Sequence, residues 1–323
     1  MYECEFHAGE QGKLTLAMEL SGCGTALVTP FRGDGGLDEP ALHRLVNWQV
    51  ESGIHFLVAC GTTGEASTLT DAETQRAVET VAGTAAGRVP VFAGCTHNST
   101  RDAVARARKL SKIPGLTGLL TANPYYNRPS QEGQYLHFRA IAEAAEIPVL
   151  LYNIPTRTGA NLEPATVMRL AEIPNIVGIK ESSGSLNQVT ELLTQLPRGF
   201  KVLCGDDGLT LTILALGGAG LVSVASNVIP SEMAQMVGSA IAGDWATARA
   251  INRQYYRLMQ AHFWEASPGP VKAVLALMGR GEDRLRLPMT PVSAPTRRKL
   301  EVLLGELGLL AGAEAVGEKV RMF

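Results

Sequence analysis

Apolar residues fall along this chain in short, nearly continuous runs, each followed by a polar or glycine-rich stretch and then by apolar positions at helical spacing. The runs are TALVT (25–29), FLVAC (56–60), VFAGC (91–95), GLLTA (118–122), VLLYN (149–153), IVGIK (176–180), KVLCG (201–205) and GLVSV (220–224). Continuous apolarity, without alternation, marks a strand covered on both faces. Between the runs lie helix starts. Asp38 precedes EPALHRLVNWQVESG, where Leu42, Leu45, Val46 and Trp48 supply apolar positions and Gly53 a stop. Asp71 opens AETQRAVETVAGTAAG, and Ser99 or Thr100 caps RDAVARARKLSK. Ser185 precedes LNQVTELLTQL, and Ser231 precedes EMAQMVGSAIAG.

Eight alternating β and α units predict a parallel sheet, and eight with no interrupting domain favour a closed barrel over an open sheet. An open dinucleotide-binding sheet would carry GxGxxG after its first strand, whereas the first loop here reads TPFRGDGG. The expected fold is α/β, a (β/α)8 TIM barrel over 21–242 with a C-terminal helical appendage over 243–311. That appendage contains GDWATARAINRQYYRLMQAHF, PGPVKAVLALMG and, after RLRLPMTPVSAP, RRKLEVLLGELGLL with Leu300, Leu303, Leu304 and Leu307 on one face. Residues 1–20 read as a disordered extension and 312–323 as a loose tail.

Composition narrows the function classes. The net charge is −2 and no five like charges run together, which argues against a nucleic-acid surface or a polybasic membrane patch. No apolar stretch approaches the roughly 18 residues of a membrane span. Met1 to Leu20 lacks the apolar core of a signal peptide. The five cysteines (Cys4, Cys23, Cys60, Cys95, Cys204) have no metal or CxxC spacing, and Cys60, Cys95 and Cys204 read as small buried hydrophobes. The six histidines do not cluster. A cytoplasmic protein without metal or cofactor is expected.

In a barrel of this kind, active sites form at the C-terminal ends of the strands. Those ends carry GTTGE (61–65), NPYYN (123–127), YNIPTRTG (152–159), Lys180, GDDG (205–208) and Ser223. Lys180 is the lysine that closes an apolar strand at this mouth. An amine in an apolar site loses hydration, which disfavours its charged form, and a neutral amine attacks ketones to give a Schiff base. The alternative for such a lysine is to snorkel to solvent or to pair with Glu181. Thr62, Thr63 and Gly64 form a tight turn whose N–H and hydroxyl groups suit a carboxylate, although GTTGE lacks the ending of a phosphate loop. Alone, it is equally a turn that lets the next helix pack. Tyr152, at a strand end near the amine, can relay protons, or simply pack. Arg157 either clamps a substrate carboxylate or braces its loop. Tyr125 and Tyr126, between Pro124 and Pro129, can line the mouth or insert into a neighbouring subunit.

GTTGE, NPYYNRPSQEG, YNIPTRTG, GIKESSG and GDD, in this order, resemble the dihydrodipicolinate synthase family, pyruvate-dependent class I aldolases that include N-acetylneuraminate lyase. The resemblance runs from about Gly22 to Leu310. It implies that Lys180 forms an imine with pyruvate and that Tyr152, Thr62 and a Tyr126 from the adjacent subunit relay protons. It further implies that Thr63 and Gly64 hold the pyruvate carboxylate, that Arg157 binds the carboxylate of the incoming aldehyde, and that Gly205 and Val222 line the pocket. The implied reaction joins pyruvate and L-aspartate 4-semialdehyde into 4-hydroxy-tetrahydrodipicolinate, an early step of lysine biosynthesis, in a homotetramer built as a dimer of dimers. Arg157 is similar to the synthase pattern and unlike that of the sialic-acid lyases. Lysine-inhibited members carry histidines where this chain has Asp71 and Thr74, and a glutamate where it has Asp102, while Asn98 and Tyr125 fit the effector pattern. Weak or absent lysine inhibition is therefore expected. Two other readings stand beside this one: another pyruvate-dependent 2-keto-acid aldolase or lyase, and a non-catalytic barrel that binds small acids. The latter predicts damage at Lys180, Tyr152 or Thr62, and all three are intact.

Overall fold

Eight strands pair in parallel, each with the next in sequence, and the last returns to the first: β1 Gly22–Ala26, β2 Phe56–Ala59, β3 Val91–Gly94, β4 Gly118–Ala122, β5 Val149–Asn153, β6 Ile176–Glu181, β7 Lys201–Cys204 and β8 Gly220–Ser223. Closure runs from Gly22↔Gly220 to Thr25↔Ser223. The molecule, a computed structural model, is described over residues 20–310. Within that range Leu20, expected in the extension, is instead buried against the barrel interior. The rest of the expected extension and the expected tail lie outside the described residues.

Two apolar layers follow from the period of two along each strand. Ala26, Phe56, Val58, Phe92, Leu120, Leu150, Leu203 and Val222 point inward and fill the barrel. Phe56 and Phe92 meet edge to face at 6.1 Å, a plug within the interior. The alternate residues, such as Leu57, Leu119, Leu151, Ile179 and Val202, pack outward against the helices. Both faces are therefore dry, which is why the runs look continuous in sequence.

Three caps fall where the pattern places them: Asp38 accepts from Ala41 N, Ser99 from Asp102 N and Ser185 from Gln188 N. Two starts differ. Thr70, not Asp71, caps Asp71–Ala85, because Thr70 and Glu73 exchange hydrogen bonds as a capping box and leave Asp71 in the first turn. The helix Pro230–Ile241 begins one residue before Ser231, at a proline whose fixed φ suits a first helical position. Helices Trp245–Ala261, Gly269–Leu277 and Ala294–Glu306 follow the barrel, the last burying Leu300, Leu303 and Leu304.

Candidate active site

Register decides which way Lys180 points. Ala122 pairs with Tyr152, Tyr152 with Lys180, and Lys180 with Leu203. Ala122, Tyr152 and Leu203 all face the interior, so their partner Lys180 does too. The amine lies over the Tyr152 ring, 4.2 Å from its centroid, and only 6% of the residue is exposed. Glu181, the next residue, faces outward. Its carboxylate accepts from Ser183 N at 2.5 Å, Asn153 Nδ2 at 3.1 Å and Gln188 Nε2 at 3.2 Å. Pairing between Lys180 and Glu181 is thereby replaced by a buried network that ties β5 to β6.

Beside Lys180 the backbone comes close. A Cβ on Gly205 would stand 2.8 Å from Lys180 Cε and 1.9 Å from Ser182 Oγ, so only glycine lets the lysine stem pass. Two residues on, buried Asp207 accepts from Ser223 Oγ at 2.5 Å, Val224 N at 3.1 Å and Ala225 N at 3.0 Å. Burial pushes its pKa above the usual carboxylate range, and these three hydrogen bonds oppose that rise. Asp207 thus locks the end of β8, and with it Val222, against the end of β7. The sequence marks GDDG as a strand end but does not reveal this role.

The GTTGE turn is drawn tight at the end of β2. Gly64 N donates to Gly61 O at 3.1 Å, Glu65 N donates to Thr62 O at 3.0 Å, and Thr29 Oγ1 donates to Gly64 O at 2.6 Å. Cys60 and Glu65, which bracket it, hold left-handed φ values of 51° and 54°, strain that packing must hold in place. A Cβ on Gly94 would lie 1.9 Å from the Cys60 carbonyl, so β3 supplies the space for this bend. Thr63 and Gly64 are buried within the turn and Thr62 is exposed.

The β4 and β5 loops are tied to each other. Tyr126 N donates to Thr158 O at 3.2 Å, and Arg128 Nε donates to Gly159 O at 2.9 Å. Tyr126 is left-handed (φ 76°) and 88% exposed, while Tyr125 is partly covered. Arg157 is exposed on the short helix Pro155–Thr158. Asn153 closes this loop by accepting from Leu162 N at 2.9 Å. Buried Lys180 and Tyr152 therefore form one group with half-buried Gly205, flanked by two built loops, whereas Tyr126 stands out from the surface.

Asp102 lines a cavity of about 350 Å³ together with Asp71, Thr74, His97 and Arg106, but Asn98 and Tyr125 do not line it. Arg106 pairs with Asp71 at 2.8 Å and Arg101 with Asp102 at 3.0 Å. Cys60, Cys95 and Cys204 are buried, and burial pushes each thiol up to about 12, as expected of inert packing groups. Among the described residues no His, Cys, Asp and Glu cluster suits a metal, and no helix is long and apolar enough to cross a membrane.

Comparison with known proteins adds an independent finding. Residues 19–307 match the Dihydrodipicolinate synthetase family. A protein of Acidobacterium capsulatum named 4-hydroxy-tetrahydrodipicolinate synthase is 63% identical over 294 residues, 91% of this chain and 97% of that one. One of the same name from Koribacter versatilis is 55% identical over 296 residues, covering 92% and 99%. Among solved structures, the dihydrodipicolinate synthase of Acinetobacter baumannii, described as complexed with pyruvate, superposes with a TM-score of 0.88 at 40% identity, covering 90% of this chain and all of that one.

Proposed function

The chain belongs to the dihydrodipicolinate synthetase family, and from that premise we propose a Schiff-base mechanism centred on Lys180. The protein is a lyase of the class I aldolase type, a 4-hydroxy-tetrahydrodipicolinate synthase acting in lysine biosynthesis. The observation that carries the mechanism is the buried Lys180 amine over Tyr152, with no ion pair to it among the described residues.

In this reading Lys180 Nζ attacks C2 of pyruvate and water leaves, giving an imine. Loss of a proton from C3 gives the enamine, whose carbon attacks the aldehyde carbon of L-aspartate 4-semialdehyde. The amino group of that substrate then displaces Lys180 from C2, closing the ring and freeing the enzyme. One water is lost overall. Tyr152 and Thr62 serve the proton transfers. The GTTGE turn, through Thr63 and Gly64, receives the pyruvate carboxylate, and Arg157 the carboxylate of the aldehyde. Gly205 and Val222 leave room for the small keto acid. No further cofactor is needed, because the imine itself is the electron sink.

Tyr126 belongs to the same proposal. A left-handed, 88% exposed tyrosine on a braced loop is suited to enter a neighbouring subunit's mouth and complete its relay, in a dimer of dimers. The proposed setting is the cytoplasm. Reduction with borohydride in the presence of pyruvate, followed by peptide mass mapping, tests the mechanism: the adduct is expected on Lys180, and its absence there refutes the imine. Tyr126→Phe is expected to slow turnover while leaving the adduct intact.

A further inference from the structure

The GTTGE turn ends in Glu65, whose side chain is 1% exposed and forms an ion pair with the equally buried Lys272 of helix Gly269–Leu277. Arg286 N donates to the second oxygen of Glu65 at 3.2 Å, and Lys272 Nζ also donates to Arg284 O at 2.8 Å. Both carboxylate oxygens are thus held by the segment that follows the barrel. The Arg286 guanidinium extends the clamp to Gly35 O at 2.7 Å, Thr68 O at 2.9 Å and the Glu73 carboxylate. Lys272 and Arg286 both lie against the Phe31 ring, at 4.3 and 4.4 Å.

Stability alone does not account for this arrangement. Removing two charges from water costs about what their attraction returns, and an apolar pair of the same volume serves as well or better. Glu65 is, in addition, one of the two strained residues of the turn. What an ion pair provides that an apolar pair does not is a fixed position. Because Glu65 N is bonded to Thr62 O, placing the carboxylate places the backbone of Thr62 and Thr63.

We propose that Glu65 and Lys272 are positioning residues, through which the C-terminal segment holds the Thr62–Thr63 turn in the orientation that receives the pyruvate carboxylate. The inference rests on the assignment of that turn to pyruvate. Arg157 lies on a different loop, so the aldehyde site is independent of the clamp.

The test measures the pyruvate concentration for half-maximal borohydride trapping on Lys180, and KM for each substrate, in Glu65→Gln, Lys272→Met and Lys272→Arg. Glu65→Gln and Lys272→Met are expected to raise the pyruvate values about tenfold and KM for the aldehyde less than about twofold, with Lys272→Arg recovering most of the loss. A folded Glu65→Gln or Lys272→Met with wild-type pyruvate values, or with equal changes in both substrates, overturns the proposal. Should neither variant fold, Arg286→Lys changes only the partly exposed arm of the clamp. A pyruvate-selective rise of about threefold supports the proposal there, and no rise or an equal one overturns it. Wild-type protein that forms no Lys180 adduct would instead refute the mechanism itself, a distinct result.

Discussion

Two lysines are buried among the described residues, and they sit in opposite electrostatic settings. Lys272 is 1% exposed and held by Glu65, by the Arg284 carbonyl and by the face of Phe31. Lys180 is 6% exposed and lies over the Tyr152 ring, with no ion pair and no side-chain hydrogen bond among the described residues. Burial draws Lys272 below the usual ammonium range, and the charge and hydrogen bond of Glu65 oppose that shift. An ammonium bound by a carboxylate and a carbonyl has no lone pair to offer. The difference teaches that burial alone does not fix an amine's role: Lys272 is committed to its carboxylate and carbonyl partners, whereas no carboxylate holds Lys180 among the described residues.

Removing each amine in turn should give opposite losses. Lys180→Ala is expected to abolish the pyruvate adduct and lower turnover by roughly four orders of magnitude. Its thermal unfolding should stay close to wild type, because no ion pair is lost. Lys272→Ala should keep the adduct at saturating pyruvate, with the pyruvate requirement raised, but leave Glu65 buried and uncompensated, costing roughly 3–5 kcal/mol in chemical unfolding. If instead Lys180→Ala unfolds and Lys272→Ala is silent in stability, the two sites have been assigned the wrong way round. The double change Glu65→Gln with Lys272→Met removes both charges and should regain much of that stability.

Acid acts on the outer arm of the Lys272 clamp. The hydrogen bond from Arg286 holds the Glu73 carboxyl down to about 2, against an ordinary 4.5. A carboxyl held low contributes stability that is complete above about pH 4.5 and is lost as pH falls toward 2. The stability difference between wild type and Glu73→Gln should therefore be constant above that window and shrink through it, with solvent screening keeping it small. A difference independent of pH would remove Glu73 from the clamp.

The smallest effect concerns a lysine outside the chain. The cavity beside Asp71 and Asp102 offers carboxylates that Arg106 and Arg101 already hold. An exposed, paired carboxylate gives a second cation little, so free lysine should change the initial rate by less than about twofold. Strong inhibition in a steady-state assay would show that the cavity accepts an ammonium despite those partners.

Much of this could be read in the chain. The eight runs name the eight strands to within a few residues, because a strand covered on both faces must be apolar throughout. Helix starts are legible where a side chain caps the first turn, as at Asp38, Ser99 and Ser185. They fail where two neighbours compete, as at Thr70 and Asp71, or where a proline substitutes for a cap, as at Pro230. Around the mouth, Lys180 and Tyr152 are legible because strand-end positions converge in a barrel, and Gly205 is marked by the resemblance of GDD to the family pattern. The clamp is not, although VKAVLAL gives the same signal as IVGIK: one lysine in an apolar run.

The sequence by itself determined that two amines would be carried into dry surroundings, since their neighbours have nowhere else to go. Through strand alternation it also determined that Lys180 and Glu181 would point to opposite faces, while register in the closed barrel put Lys180 inside and Glu181 toward the helices. Which amine is neutralised by a carboxylate was decided by the tertiary structure alone. Glu65 stands 207 residues from Lys272. An ion pair depends on a few ångströms of final separation, which barrel closure and the docking of the C-terminal helices set, and no local pattern along the chain encodes that distance.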